Sequence, residues 1–100
     1  MTQIGAFLYY LVYTVNMGWH MHELGVLRQI VKTVDRITEE NHIKRVKHIS
    51  LEVGETSGFV PLYLTKLFPV AADASPALQK TTLNIISVPG SGLVIKEIGY

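Results

Sequence analysis

The chain has 100 residues, the length of one ordinary domain, and at 48% hydrophobic it holds enough apolar material for a single core without staples. Nine basic against eight acidic residues leave a formal net charge of +1, which provides no broad positive surface for a nucleic-acid backbone or an anionic lipid. The lack of cysteine excludes disulfides, thiolate nucleophiles and thiolate metal sites; it leaves histidine, carboxylate and backbone nitrogen as metal ligands and agrees with a cytoplasmic setting.

Met1 to Trp19 carries no charged side chain, and Ile4 to Val15 is almost continuously apolar or aromatic. That run is well short of the roughly 20 residues that span a bilayer, so no membrane span is expected, and neither a basic leader region nor a small-residue cleavage site marks a secretory signal. Three readings of residues 1–20 stand side by side. The segment is a hydrophobic strand or arm packed on the body or on a partner, a membrane-surface segment, or sequence upstream of the true start, for which Met17 and Met21 offer later positions. As an arm, residues 4–15 would add a strand to a neighbour's sheet and build a homo-oligomer.

From Leu24 the spacing becomes helical, with Leu24, Leu27, Ile30 or Val31, Val34 and Ile37 recurring every three to four residues. Arg28, Lys32, Asp35, Arg36 and Glu39 fall on other faces and read as a solvated surface. The helix should end between Glu40 and His42, where Asn41 is suited to a left-handed cap. Arg45 to Val53 alternates, with Ile49, Leu51 and Val53 on one face and His48, Ser50 and Glu52 on the other, the pattern of a half-buried strand closed by Gly54.

The stretch Gly54-Glu55-Thr56-Ser57-Gly58 is a turn, and Pro61 suits the first turn of a second helix whose apolar stripe is Leu64, Leu67, Phe68 and Ala71. Pro69 inside that stripe predicts a kink or two short pieces, since a proline in a helix interior costs about 3 kcal/mol. Lys80 to Val88 and Leu93 to Tyr100 read as strands, joined by Pro89-Gly90-Ser91-Gly92 as a tight antiparallel hairpin. The sum is a two-layer α/β (α+β) domain over residues 21–100: a small three-stranded mixed sheet with two helices on one face. Its first two strands are parallel because the connection between them is long.

Met21-His22-Glu23, followed by an amphipathic helix, resembles the start of the hydrogenase nickel-incorporation (HypA) family, whose members begin Met-His-Glu. The likeness continues through Ile49-Ser50-Leu51-Glu52-Val53-Gly54-Glu55-Thr56-Ser57-Gly58, close to the family's Leu-Glu-Val-Gly-Glu-x-Ser-Gly pattern, then Pro61 and Leu83-Asn84-Ile85. It ends in Gly92-Leu93-Val94-Ile95-Lys96-Glu97-Ile98, similar to the family's closing strand. The resemblance implies a nickel-binding metallochaperone for [NiFe] hydrogenase maturation, with a hydrogenase large-subunit precursor and a nickel-pathway GTPase as partners. Family members insert two Cys-x-x-Cys pairs that bind structural zinc between the positions here occupied by Val88 and Gly92. With Pro89-Gly90-Ser91 in that place, no zinc is expected.

The resemblance assigns transient Ni(II) to the Met21 nitrogen, the His22 imidazole and amide, and the backbone of Glu23. Nickel(II) favours square-planar or tetragonal nitrogen and oxygen sets, which a histidine in second position can build with few residues. An α-amine is partly deprotonated at physiological pH, whereas an ordinary backbone amide must be stripped of its proton by the metal. The Met21 nitrogen is an amine only in a chain that starts there. If residues 1–20 are retained, His20 and His22 form a His-x-His pair instead. Glu52 and Glu55 are candidates for orienting the imidazole from outside the ligand set. Each has a plainer reading, Glu52 as a strand's polar face and Glu55 as a turn carboxylate. His42 and His48 read as a helix-end and a strand-surface residue.

No cysteine nucleophile, phosphate loop of Gly-x-x-x-x-Gly-Lys type or carboxylate pair at a recognisable spacing is present, so the chain is not expected to be an enzyme. The alternative to nickel delivery is a metal-free docking or regulatory module that keeps the family's α/β surface.

Overall fold

The computed structural model describes residues 8–14 and 22–100. In chain order the elements are β1 (Leu8–Thr14), α1 (Glu23–Glu40), β2 (His48–Gly54), α2 (Pro61–Ala71), a short 3₁₀ turn (Pro76–Leu78), β3 (Thr82–Val88) and β4 (Leu93–Gly99). The strands form one sheet in the order β1-β4-β2-β3.

Alternation places Ile49, Leu51 and Val53 of β2 and Leu93 and Ile95 of β4 in the core, and the register shift between Ile95 and Glu97 returns Ile98 to the same face. Both helices lay their apolar stripes there, Val26, Leu27, Ile30, Val34 and Ile37 from α1 and Leu64 and Phe68 from α2. The opposite face of β2 carries His48, Ser50 and Glu52, as the alternation predicted. β2 and β3 run parallel, from His48↔Thr82 to Gly54↔Val88, because an entire helix lies in the connection between them. The expected two helices and mixed sheet are therefore present.

The expected terminal hairpin is not. β3 and β4 do not pair; β2 lies between them, antiparallel to β4 through Ile49↔Ile98 and Val53↔Leu93. Strands separated by one neighbour sit about 9.5 Å apart, within reach of a four-residue connection. Pro89–Gly92 spans that gap by passing over the end of β2, where the Gly54 amide donates to the Gly92 carbonyl at 2.7 Å and the Thr56 amide to the Gly90 carbonyl at 2.9 Å. A Cβ on Gly54 would collide with the Gly90 carbonyl, so the crossing requires glycine there.

The sheet also gains a fourth strand beyond the expected three. β1 runs antiparallel to β4, from Leu8↔Gly99 to Thr14↔Val94, with an irregularity between Tyr10 and Tyr13. Within the extension, residues 8–14 thus add a strand to the chain's own sheet.

Other departures are local. The left-handed residue after α1 is His42, with φ 55°, not Asn41 at φ −110°. Asn41 caps the helix with its side chain instead, its Nδ2 donating to the Ile37 carbonyl at 2.9 Å. β2 starts at His48 and not Arg45, because the Val46 amide is drawn away to the Ala77 carbonyl at 2.9 Å. α2 is one helix and not two pieces: Pro69 lies two residues from its end, with its ring exposed, so only one backbone bond is forgone.

Candidate functional site

α1 opens at the sheet end where β2 and β3 finish and β4 starts, because the short connection of residues 41–47 returns the chain from the helix's far end to the start of β2 at His48. His22 is its N-cap residue, in extended conformation at φ −85° and ψ 166°, and its carbonyl accepts the first helical bond from the Val26 amide at 3.1 Å. Its imidazole is exposed and makes no hydrogen bond or ion pair among the described residues. The first amides of a helix have no partner within it. The His22 ring and the amide nitrogens beside it are thus open to a ligand from one side.

Glu23 faces differently. Its Oε2 accepts a hydrogen bond from the Val60 amide at 3.0 Å, the residue that caps α2. The side chain therefore ties the two helix starts together and is not a free donor, which agrees with a backbone role for this residue. A negative group in the first turn also suits the positive end of the helix dipole.

The loop from Glu55 to Val60 forms the rim of this end. Gly58 supplies a left-handed turn at φ 85°, Ser57 donates its amide to the Gly54 carbonyl at 3.0 Å, and the Ser57 hydroxyl accepts the Phe59 amide at 3.2 Å. Glu55 is anchored by its amide to the Val88 carbonyl at 2.8 Å while its carboxylate is exposed and has no partner among the described residues. Thr56 Oγ1 adds a second bond to the Gly90 carbonyl at 2.8 Å. The Pro89–Gly92 connection thus shares this end of the sheet with His22.

The remaining candidates lie elsewhere. Glu52 is on the sheet face away from α1, 3.8 Å from Lys96 Nζ. His48 is on the same open face, its Nε2 3.9 Å from Glu97, with its ring over Gly99. His42 follows the far end of α1. Met21 and His20 lie outside the described residues. Among the described residues no three His, Asp or Glu side chains converge as a metal site. The Glu23–Val60 bond had no signal in the sequence, because its partners are 37 positions apart and the acceptor's role depends on how the helices pack.

The family described as "Hydrogenase/urease nickel incorporation, metallochaperone, hypA" matches residues 21–93. Hydrogenase maturation factor HypA of Trichodesmium erythraeum is 36% identical over 72 residues, which cover 72% of this chain and 60% of that protein. The HypA proteins of Trichormus variabilis and Deinococcus radiodurans are each 31% identical, with 58% and 59% of their lengths covered. The chain thus spans about three fifths of the curated relatives it matches. The fold is similar to the solution structure of the Ni metallochaperone HypA from Helicobacter pylori, with a TM-score of 0.63 at 16% identity, over 75% of this chain and 70% of that one. A second solution structure, of HypA protein, gives a TM-score of 0.60 at 18% identity, over 67% of this chain and 56% of that one. A motif beginning at Met21, a matching two-helix mixed-sheet fold and relatives aligned over most of its length place this chain in the HypA family of hydrogenase/urease nickel-incorporation metallochaperones, a family of binding proteins and not of enzymes.

Proposed function

We propose that this chain binds Ni(II) transiently at the start of α1 and passes it to the large-subunit precursor of a [NiFe] hydrogenase, in the cytoplasm and together with a nickel-pathway GTPase. The observation that carries the reading is the exposed His22 imidazole at a helix N-cap, without a side-chain partner among the described residues, beside amides that belong to no helical bond. The nickel set consists of the His22 imidazole and amide, the Met21 nitrogen and the backbone of Glu23. Metal-driven loss of an amide proton there breaks no helical hydrogen bond, which lowers its cost. The exposed Glu55 carboxylate is on the same end of the sheet and is the better placed of the two glutamates to orient the imidazole from outside the ligand set; Glu52 is engaged with Lys96 across the sheet. With no cysteine in the chain, delivery proceeds without zinc.

The test is nickel titration of a protein beginning at Met21, its His22→Ala variant, and the full chain. Micromolar binding that disappears with the imidazole supports delivery; equal binding by the variant defeats it. The Met21-start protein should bind more tightly than the full chain, because only its Met21 nitrogen is an amine.

A second reading has its own observation. β1 pairs with β4 within the same chain, which supports a role for the extension in the fold, and in a chain that keeps residues 1–20 the Met21 nitrogen is an amide. On this reading the intact chain is a metal-free docking or regulatory module of the same family. N-terminal analysis of protein made from its own gene separates the two.

A further inference from the structure

β3 is one edge of the sheet, and its backbone divides between two sides. The Thr82 amide donates to the Lys47 carbonyl at 2.9 Å and the Val88 carbonyl accepts the Glu55 amide at 2.8 Å, so the even-numbered residues of β3 face β2. Bonding alternates along a strand in a parallel ladder, which turns the amides and carbonyls of Leu83, Ile85 and Ser87 away from β2. Among the described residues nothing bonds to these outward groups.

The two edges of the sheet are built differently. β1 meets β4 with an irregularity between Tyr10 and Tyr13, whereas β3 matches β2 residue for residue from Thr82 to Val88. Bulges, prolines and charges, lysine above all, are what keep an edge strand from pairing with another chain. Thr82-Leu83-Asn84-Ile85-Ile86-Ser87-Val88 contains none of them. It also presents Ile86, 46% exposed, on the open face of the sheet and a half-buried Ile85 on the helix face.

We propose that β3 pairs antiparallel with β3 of a second copy of this chain, joining the two sheets into one about a two-fold axis at Ile85. Such an axis brings the same surface of both copies together, so the strand has to complement itself. It does. With the axis at Ile85, Leu83 lies opposite the partner's Ser87 and Ile85 opposite the partner's Ile85, and every outward amide and carbonyl finds an acceptor or donor. A register shifted along the strand leaves some of them unpaired. The ladder is also bounded, because the Thr81 amide is already given to the Leu78 carbonyl at 3.3 Å and Pro89 has no amide to give.

The side chains agree with this register. The two Ile85 side chains meet on the helix face, and on the open face Ile86 meets the partner's Asn84 in the closer kind of cross-strand pair. With no charge in the strand, no like charges face each other. β3 finishes at the His22 end of its sheet, so antiparallel pairing points the two His22 ends in opposite directions and leaves both open; the association is independent of nickel binding. A contact made by one strand edge belongs among the small interfaces that form and part with concentration.

The test follows the intact chain by sedimentation equilibrium and amide hydrogen exchange up to about 1 mM protein, where even a weak complex is substantially formed. The mass should rise toward that of a dimer, and the amides of Leu83, Ile85 and Ser87 should gain protection in step with it. Those of Asn84 and Ile86, already bonded to β2, should not change. Ser87→Pro removes an outward amide while keeping the bonds to β2, and should weaken association at least about tenfold because the two-fold axis doubles the loss. Two double variants at the exposed positions 84 and 86 then read the register. Asn84→Lys/Ile86→Lys sets like charges opposite each other and should be monomeric, whereas Asn84→Glu/Ile86→Lys sets opposite charges there and should still dimerise. A monomeric chain at the highest concentration, dimerisation unaffected by Ser87→Pro, equal behaviour of the two double variants, or protection that grows in β1 instead of β3 would each overturn the proposal.

Discussion

The carboxylate of Glu23 accepts the amide of Val60 at 3.0 Å, joining the first turn of α1 to the cap of α2. The bond positions the Glu55–Val60 loop beside His22, so one side chain of the Met-His-Glu motif organises the end of the domain at which its neighbour is presented.

Replacing Glu23 with alanine removes the acceptor and should lower stability by about 1 kcal/mol, whereas Glu23→Gln retains a carbonyl oxygen in the same place and should lose less. Urea unfolding of both variants measures this. Equal losses for the two would mean that the carboxylate's charge at the helix start matters and the Val60 bond does not.

Gly54 and Gly99 both meet a neighbour closely, but of different kinds. A methyl at Gly54 runs into the backbone of Gly90 and Gly92, which can move only by displacing the β3–β4 connection. At Gly99 it meets the His48 ring, a half-exposed side chain able to swing aside at the expense of its contact with Glu97. Gly54→Ala should therefore cost about 1–3 kcal/mol, on the scale of an overpacked site. Gly99→Ala should cost under about 1 kcal/mol, the worth of an exposed ion pair. Thermal melts rank them; the reverse order would be inconsistent with this account.

Removing residues 1–20 takes β1 away and leaves β4 as an unpaired edge of apolar sequence, which invites pairing with a second copy. Sedimentation of the shortened protein should show self-association that increases with concentration, against a smaller tendency in the full chain. Identical masses would mean that β1 does not protect the edge.

Pro69→Ala should stabilise α2. The substitution restores an amide able to reach the Thr65 carbonyl and removes the ring from a helix interior, and Pro69 is exposed, so no packing is lost. Part of the gain is offset because proline also stiffens the unfolded chain. A net rise of roughly 1 kcal/mol is expected in thermal unfolding, and a decrease would show that the proline's rigidity outweighs the missing bond.

Periodicity alone was enough for α1 and for the buried face of β2. Leu27, Ile30, Val34 and Ile37 at helical spacing, and Ile49, Leu51 and Val53 at every second position, are local patterns whose burial follows from backbone geometry. The Met21-His22-Glu23 motif and the Gly54–Gly58 turn were likewise legible, since each depends on adjacent residues. What required the tertiary structure was everything set by distant pairing. Pro89-Gly90-Ser91-Gly92 looks like a hairpin because turn chemistry does not register that β2 occupies the space between the strands it joins. The choice of His42 over Asn41 for the left-handed position and the Glu23–Val60 bond have the same origin. Local sequence limits each residue's conformations, but which residues become neighbours is decided by the order in which strands and helices bury their apolar faces together.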